Sequence, residues 1–216
     1  MICLVLLLSF AGVYGKVSDP MEILSKKDRE LQSLLKSDSS QTEKGKQEIS
    51  RLINGIFNLE ELGRKSLGSA TFKKMTEEQK KRFLSAFKNI LETNTMEQLE
   101  SYQTDSVVYE KAKVSSSGKK AKITAHAYFR GKETIYQYKM MLKDEEWKTW
   151  DLVIDDLSTY LNYKEQFRKI LKKKTIEELI ERLEKKVSKK ADKESAKDPV
   201  KPTEKKTKKT KKATAK

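Results

Sequence analysis

Between Asp19 and about Tyr102, apolar residues recur three and four positions apart, the period of a helix with one buried face. Met21, Ile23, Leu24, Leu31, Leu34 and Leu35 mark the first such stretch, with Asp19 as its N-cap and Pro20 in its first position. Ile49, Leu52, Ile53, Ile56 and Phe57 share one face of a second. Asn58 caps a short third helix through Glu60, Glu61 and Leu62, which ends near Gly68. Thr76-Glu77-Glu78-Gln79 is a capping box, and it opens the longest helix, whose stripe is Phe83, Phe87, Ile90 and Leu91.

The period then changes from 3.6 to 2. Residues 106–114, 121–130, 133–142 and 147–155 are rich in Val, Ile, Thr, Tyr and Trp and are joined by short polar connections. Short connections require antiparallel neighbours, so these segments predict a four-stranded meander. Along the second strand Ile123, Ala125, Ala127 and Phe129 face one way, while Lys122, Thr124, His126 and Tyr128 face the other. Helical spacing returns with Leu157, Tyr160, Leu161, Phe167, Ile170 and Leu171, and again from Thr175 with Ile176, Leu179, Ile180 and Leu183. The expected fold class is α+β: an N-terminal helical layer, one antiparallel sheet, and two C-terminal helices covering one face of the sheet.

Both ends depart from this pattern. Met1 to Gly15 is an uncharged apolar run followed by small residues, with Val13 and Gly15 spaced as the −3 and −1 positions of a signal-peptidase site. The run is too short to span a bilayer, so residues 1–15 read as a secretory signal peptide and Lys16 as the first mature residue. Cleavage would remove Cys3, the only cysteine, and the core would hold residues 16–187 together without a disulfide. Residues 188–216 carry 12 Lys against 4 acids and one large apolar residue, Val200. Such a segment buries too little apolar surface to offset chain entropy and reads as a disordered basic tail. It serves either as a solubility tail or as an electrostatic contact with anionic lipid, lipopolysaccharide or nucleic acid. The chain carries +15 in all, of which the tail accounts for +8.

Candidate chemistry is sparse. One His and one Cys leave too few soft ligands for a structural zinc site and no nucleophile paired with a base. His126 reads as a strand-surface residue, and the pairs Glu60-Glu61 and Asp155-Asp156 sit where helix N-termini favour acids. No phosphate loop, dinucleotide fingerprint or serine-hydrolase elbow is present. No catalytic residue, metal ligand or cofactor is therefore assigned.

The segment from Trp147 through Trp150-Asp151, Ile154-Asp155-Asp156 and Ser158, followed by Asn162-Tyr163-Lys164 and Gln166-Phe167, resembles the C-terminal signature of the MlaC, or toluene-tolerance, family. Leu67-Gly68, Gln79, Phe83, Phe87, Leu91 and Tyr138 are similar to further positions of that pattern. The resemblance spans about 19–186. Departures are Phe72 near a family Trp, Thr93-Asn94 for Thr-Tyr, Trp150 for Tyr, and Lys164 for Arg. The last exchanges a planar fork for a point charge.

The resemblance implies a periplasmic phospholipid carrier, with acyl chains held inside the domain and the head group at its mouth. Its partners would be an outer-membrane lipoprotein complex and an inner-membrane ABC transporter, and its only bound group the lipid cargo. Two rivals remain: an enzyme on a similar cone-shaped α+β scaffold, and a nucleic-acid-binding protein led by the basic tail. Against the latter, the domain lacks a basic helix with base-reading residues. Joining the carrier reading to the strand and helix faces gives nine expected cavity residues: Phe83, Phe87, Ile123, Ala125, Ala127, Phe129, Tyr138, Val153 and Phe167.

Overall fold

A computed structural model describes residues 19–97 and 104–195. Five helices come first: α1 (Pro20–Leu35), α2 (Glu43–Ile56), α3 (Leu59–Leu67), α4 (Ser69–Lys74) and α5 (Glu77–Glu97). Strands β1 (Ser106–Tyr109), β2 (Lys113–Val114), β3 (Lys120–Phe129), β4 (Lys132–Lys143), β5 (Glu146–Ile154) and β6 (Leu157–Ser158) follow, then α6 (Thr159–Leu171) and α7 (Ile176–Ser195). The α+β architecture expected from the residue pattern is the one observed.

The helix starts follow from their caps. Asp19 Oδ1 accepts from the Met21 amide at 2.8 Å, and Asn58 Oδ1 from the Glu61 amide at 2.9 Å. At Thr76 the capping box closes both ways: Gln79 N donates to Thr76 Oγ1 at 3.1 Å, and Thr76 N to Gln79 Oε1 at 3.2 Å. Thr175 and Glu178 repeat this exchange ahead of α7. Phe57, assigned from the sequence to the second helix, is instead its extended C-cap and bridges to Thr149 on β5. The continuation of α5 to Tyr102 and the signal peptide lie outside the described residues. The last helix runs past the expected limit at Val187 to Ser195, the last of the described residues. Lys, Ala and Glu are good helix formers, and extending an anchored helix costs little.

All strands belong to one antiparallel sheet in the order β1-β3-β4-β5-β6, with β2 also paired to β3. The first expected strand is broken at 110–112 into β1 and β2. A bulge interrupts the β4–β5 ladder: Lys139 lies opposite Asp151 and Met140 opposite Thr149, leaving Trp150 without a partner. The extra residue inverts the parity of β5, so that Trp147 and Thr149 share a face with Leu152 and Ile154 rather than with Asp151 and Val153.

The core has two main parts. Phe83, Phe87 and Phe167 pack with Leu62, Leu67, Leu179, Ile180 and Leu183 between the helices. Leu24 and Ile56 pack on Ala121, Ile123, Met140 and Trp147 of the sheet. Arg82 ties α5 to α7 through Glu177 and Glu184.

Two buried hydroxyls behave oppositely. Ser158 Oγ donates to Asp151 at 2.9 Å and caps α6 by accepting from the Leu161 amide at 3.1 Å. Thr149 Oγ1 is wholly buried with no partner. Thr149→Val should raise stability by about 1 kcal/mol, because an isosteric methyl replaces an unsatisfied polar group. Ser158→Ala should lower it by about 1 to 3 kcal/mol. Urea unfolding of the two variants checks the opposite signs; a loss in both would contradict this assignment.

Candidate functional site

Between the sheet and the N-terminal helices lies a cavity of about 240 Å³, partly open to solvent. Leu24, Leu31 and Leu35 of α1 and Ile53 and Ile56 of α2 form one wall. Tyr136 and Tyr138 of β4, with Trp150, Leu152 and Ile154 of β5, form the sheet wall, which Ala127 and Val107 extend. Leu91 of α5 and Tyr163 of α6 close the remaining side. The helical walls are the inner stripes of amphipathic helices, and the sheet wall follows from strand alternation corrected by the bulge at Trp150.

The few polar groups of the lining are bonded within the protein. Asp28 of α1 accepts from the Tyr109 hydroxyl, and Gln32 Oε1 accepts from the Thr104 amide at 3.2 Å. Burial pushes the Asp28 carboxyl above the usual carboxylate range, against the hydrogen bonds from Tyr109 and Gln32. Burial also raises the Tyr109 hydroxyl, and the neighbouring Asp28 charge adds to it. Asp151 is fully buried and holds the start of α6: it accepts from Ser158, from the Tyr160 amide at 2.9 Å and from Lys139 Nζ at 2.8 Å. Each of these carboxylates has a structural task, and they stand on different walls.

The nine expected cavity residues are distributed unevenly. Ala127 and Tyr138 border the cavity. Phe83, Phe87 and Phe167 are buried one layer behind it, with ring centroids 5.6–5.9 Å apart. Tyr163 carries that layer to the cavity, meeting Phe87 edge-on at 4.9 Å. Ile123 belongs to the solid part of the core under α1, and Ala125 is buried on the same inner strand face. Phe129, at the end of β3, is half-buried with the Arg130 guanidinium 5.0 Å from its ring. The bulge turns Val153 away, leaving Leu152 and Ile154 on the cavity side. Sequence reasoning missed the α1 and α2 wall, although its apolar stripes were legible, because a stripe does not reveal whether its partner is a side chain or a void.

His126 is on the outer face of the sheet, with Nε2 3.1 Å from Glu110 and Nδ1 2.8 Å from Glu133. Hydrogen bonds to these two carboxylates raise its pKa. Among the described residues, no three His, Cys, Asp or Glu side chains converge as metal ligands, and no helix is long and apolar enough to cross a membrane.

A protein-family model described as MlaC protein matches residues 25–185. The chain belongs to the MlaC family. No curated protein matches it. Among solved structures, a phospholipid-binding protein from Ralstonia solanacearum, determined in complex with a phospholipid, shares the fold with a TM-score of 0.70 at 17% identity. The likeness covers 81% of this chain and 99% of that one. Of the positions where this chain departs from the MlaC pattern, two reach the cavity, whereas Phe72 packs against the helical core. Trp150 and Asn94 line the cavity, and Asn94 Nδ2 donates to the Tyr163 hydroxyl at 3.2 Å. Lys164 Nζ donates to the Tyr160 hydroxyl at 3.0 Å and lies 5.3 Å from that ring. Lys65 Nζ sits 4.7 Å above the Trp150 ring.

The buried Asp28 has a consequence for stability. Between the ordinary unfolded value of about 3.9 and the raised folded value, the native state binds more protons than the unfolded chain. Stability attributable to Asp28 therefore falls as pH rises through that window. Asp28→Asn keeps an acceptor for Tyr109 and removes the titration, so its urea midpoint should fall less than the native protein's between about pH 4 and pH 7. Parallel curves would place the Asp28 carboxyl in the ordinary range.

Proposed function

We propose that this protein is a periplasmic lipid carrier that shelters acyl chain in the cavity between α1, α2 and the sheet, and moves phospholipid between an outer-membrane lipoprotein complex and an inner-membrane ABC transporter. The observation that carries the reading is the predominantly apolar cavity in a chain of the MlaC family. The phospholipid in the Ralstonia solanacearum structure of the same fold supports it.

Physical chemistry explains the need for such a shelter. At about 0.8 kcal/mol per methylene, exposing roughly 30 methylenes to water costs on the order of 24 kcal/mol. A barrier of that height allows escape from a bilayer at roughly 10⁻⁵ per second, too slow to maintain a membrane. A protein that covers the chain lowers this barrier without any catalytic group. An enzyme on the same scaffold would instead need proton-transferring groups around a polar pocket, whereas Asp28 and Asp151 are engaged in holding the walls. The basic segment beyond α7 would add long-range attraction to anionic surfaces, within a screening length of about 8 Å at physiological salt. Liposome association that ignores salt would contradict that role.

Ala127 is the small residue on which the reading is tested. Ala127→Trp places an indole in the cavity, so bound lipid should be lost from solvent extracts of the purified protein while the fold is retained. In a solid core the same change would overpack by about 1 to 3 kcal/mol. A stable variant carrying its full complement of lipid would remove the cavity from the function.

A further inference from the structure

We propose that the corner formed by β6 and the start of α6 docks on an anionic lipid surface, with Leu157 and Leu161 inserted among acyl chains and the cations of α6 on the phosphates. The purpose of this contact rests on the carrier reading above, to which it adds the place where the cavity meets a bilayer. Leu157 stands opposite Ile154 in the β5–β6 ladder, so their side chains lie on one face of the sheet. Ile154 borders the cavity, yet Leu157 is 77% exposed. The apolar lining therefore continues outward into solvent at this corner. Leu161, four residues on, is 56% exposed, and Thr159 between them again borders the cavity. Neither leucine side chain has a capping task. With Ser158 as N-cap, a hydrophobic staple would pair Leu157 with the fourth helical residue, which is the polar Asn162.

The residues that follow supply the charge. From Thr159 to Lys174 the chain carries six bases, Lys164, Arg168, Lys169, Lys172, Lys173 and Lys174, against one acid, Glu165. All six bases are exposed. Lys164, Arg168 and Lys172 follow Leu161 at three, seven and eleven positions, so they continue the leucine's side of α6. Glu165 engages Arg168 at 2.7 Å and Lys169 at 3.7 Å, and Glu178 engages Lys174 at 2.7 Å. Lys164, Lys172 and Lys173 have no acidic partner among the described residues. Of the acids in the turn before Leu157, Asp155 accepts from the Ile135 amide at 2.9 Å, and Asp156 is outweighed by these cations. Long cationic side chains beside exposed leucines suit a membrane interface, where their stems lie along the acyl boundary and their charges meet phosphate. A protein partner fits less well: two leucines are a small fraction of the roughly 800 Å² that each side of a specific interface buries.

The test uses the full chain and vesicles of phosphatidylcholine with and without phosphatidylglycerol, with bound protein separated by flotation. Leu157→Ser/Leu161→Ser, both at exposed positions, should keep the native melting temperature and lower partitioning to the phosphatidylglycerol vesicles at least about fivefold. The loss should persist at about 0.5 M salt, where attraction through the Lys-rich segment beyond α7 is screened. Lys164→Gln/Lys172→Gln should lower partitioning at least about threefold at low salt and leave it unchanged on vesicles without phosphatidylglycerol. An environment-sensitive dye on Leu157→Cys, in a Cys3→Ser background, should shift to the blue on the anionic vesicles. The same dye on Val108→Cys, at an exposed position opposite His126 on the outer sheet face, should not shift. Native-like partitioning of the leucine variant, or no shift at position 157, would overturn the inference. So would unchanged vesicle binding by a leucine variant that fails to replace the native protein in its host, since a protein partner would then occupy the corner. Leucine-dependent vesicle binding by a native protein that takes up no lipid would leave the inference standing and remove the carrier reading.

Discussion

The inner face of the sheet is narrow where β3 runs through Ala125 and Ala127, and the surrounding packing depends on how the helices meet that face. Helices α1 and α2 close on the large residues at one end, Ile123, Met140 and Trp147, and make solid core there. Helices α5, α6 and α7 close on one another around Phe83, Phe87 and Phe167. Neither group has side chains long enough to fill the space above Ala127, which borders the cavity between them. Close packing is a property of each cluster, and the void lies at their junction.

The bulge at Trp150 lets one strand serve both regions. Before it, Trp147 and Thr149 face the α1 side of the core; after it, Leu152 and Ile154 face the cavity, while Asp151, at the cavity's border, lies opposite Lys139 and holds the start of α6. Without the extra residue the carboxylate would point into the apolar space and Leu152 away from it. One unpaired residue thus keeps the lining apolar and gives the buried charge its partners in Lys139, Ser158 and the Tyr160 amide.

Much of this was legible in the residue order. Caps at Asp19, Asn58 and Thr76 gave helix starts, and the alternation along β3 gave the correct inner face, because both signals are local. The placement of Phe83, Phe87 and Phe167 was not legible: an aromatic stripe looks the same whether it faces α7 or a cavity. Val153 was misplaced because a bulge shifts parity without leaving a compositional mark, and Trp150 is as good a strand residue as any. The family resemblance carried the carrier reading further than periodicity could, since a void is defined by residues far apart in sequence. The α1 wall, more than 90 residues from β4 in the chain, is an example.

In the proposed carrier, acyl chain lies in this cavity, against Leu31, Ile53, Tyr138 and Leu152. Photolabelling measures it most directly: the full chain is loaded with a lipid bearing a diazirine near the methyl end of its acyl chain, irradiated, and the labelled peptides are identified. Adducts are expected within α1, α2, β4 and the second half of β5. Adducts confined to the Phe83, Phe167 and Leu179 layer, or to the outer sheet face around His126, would contradict it.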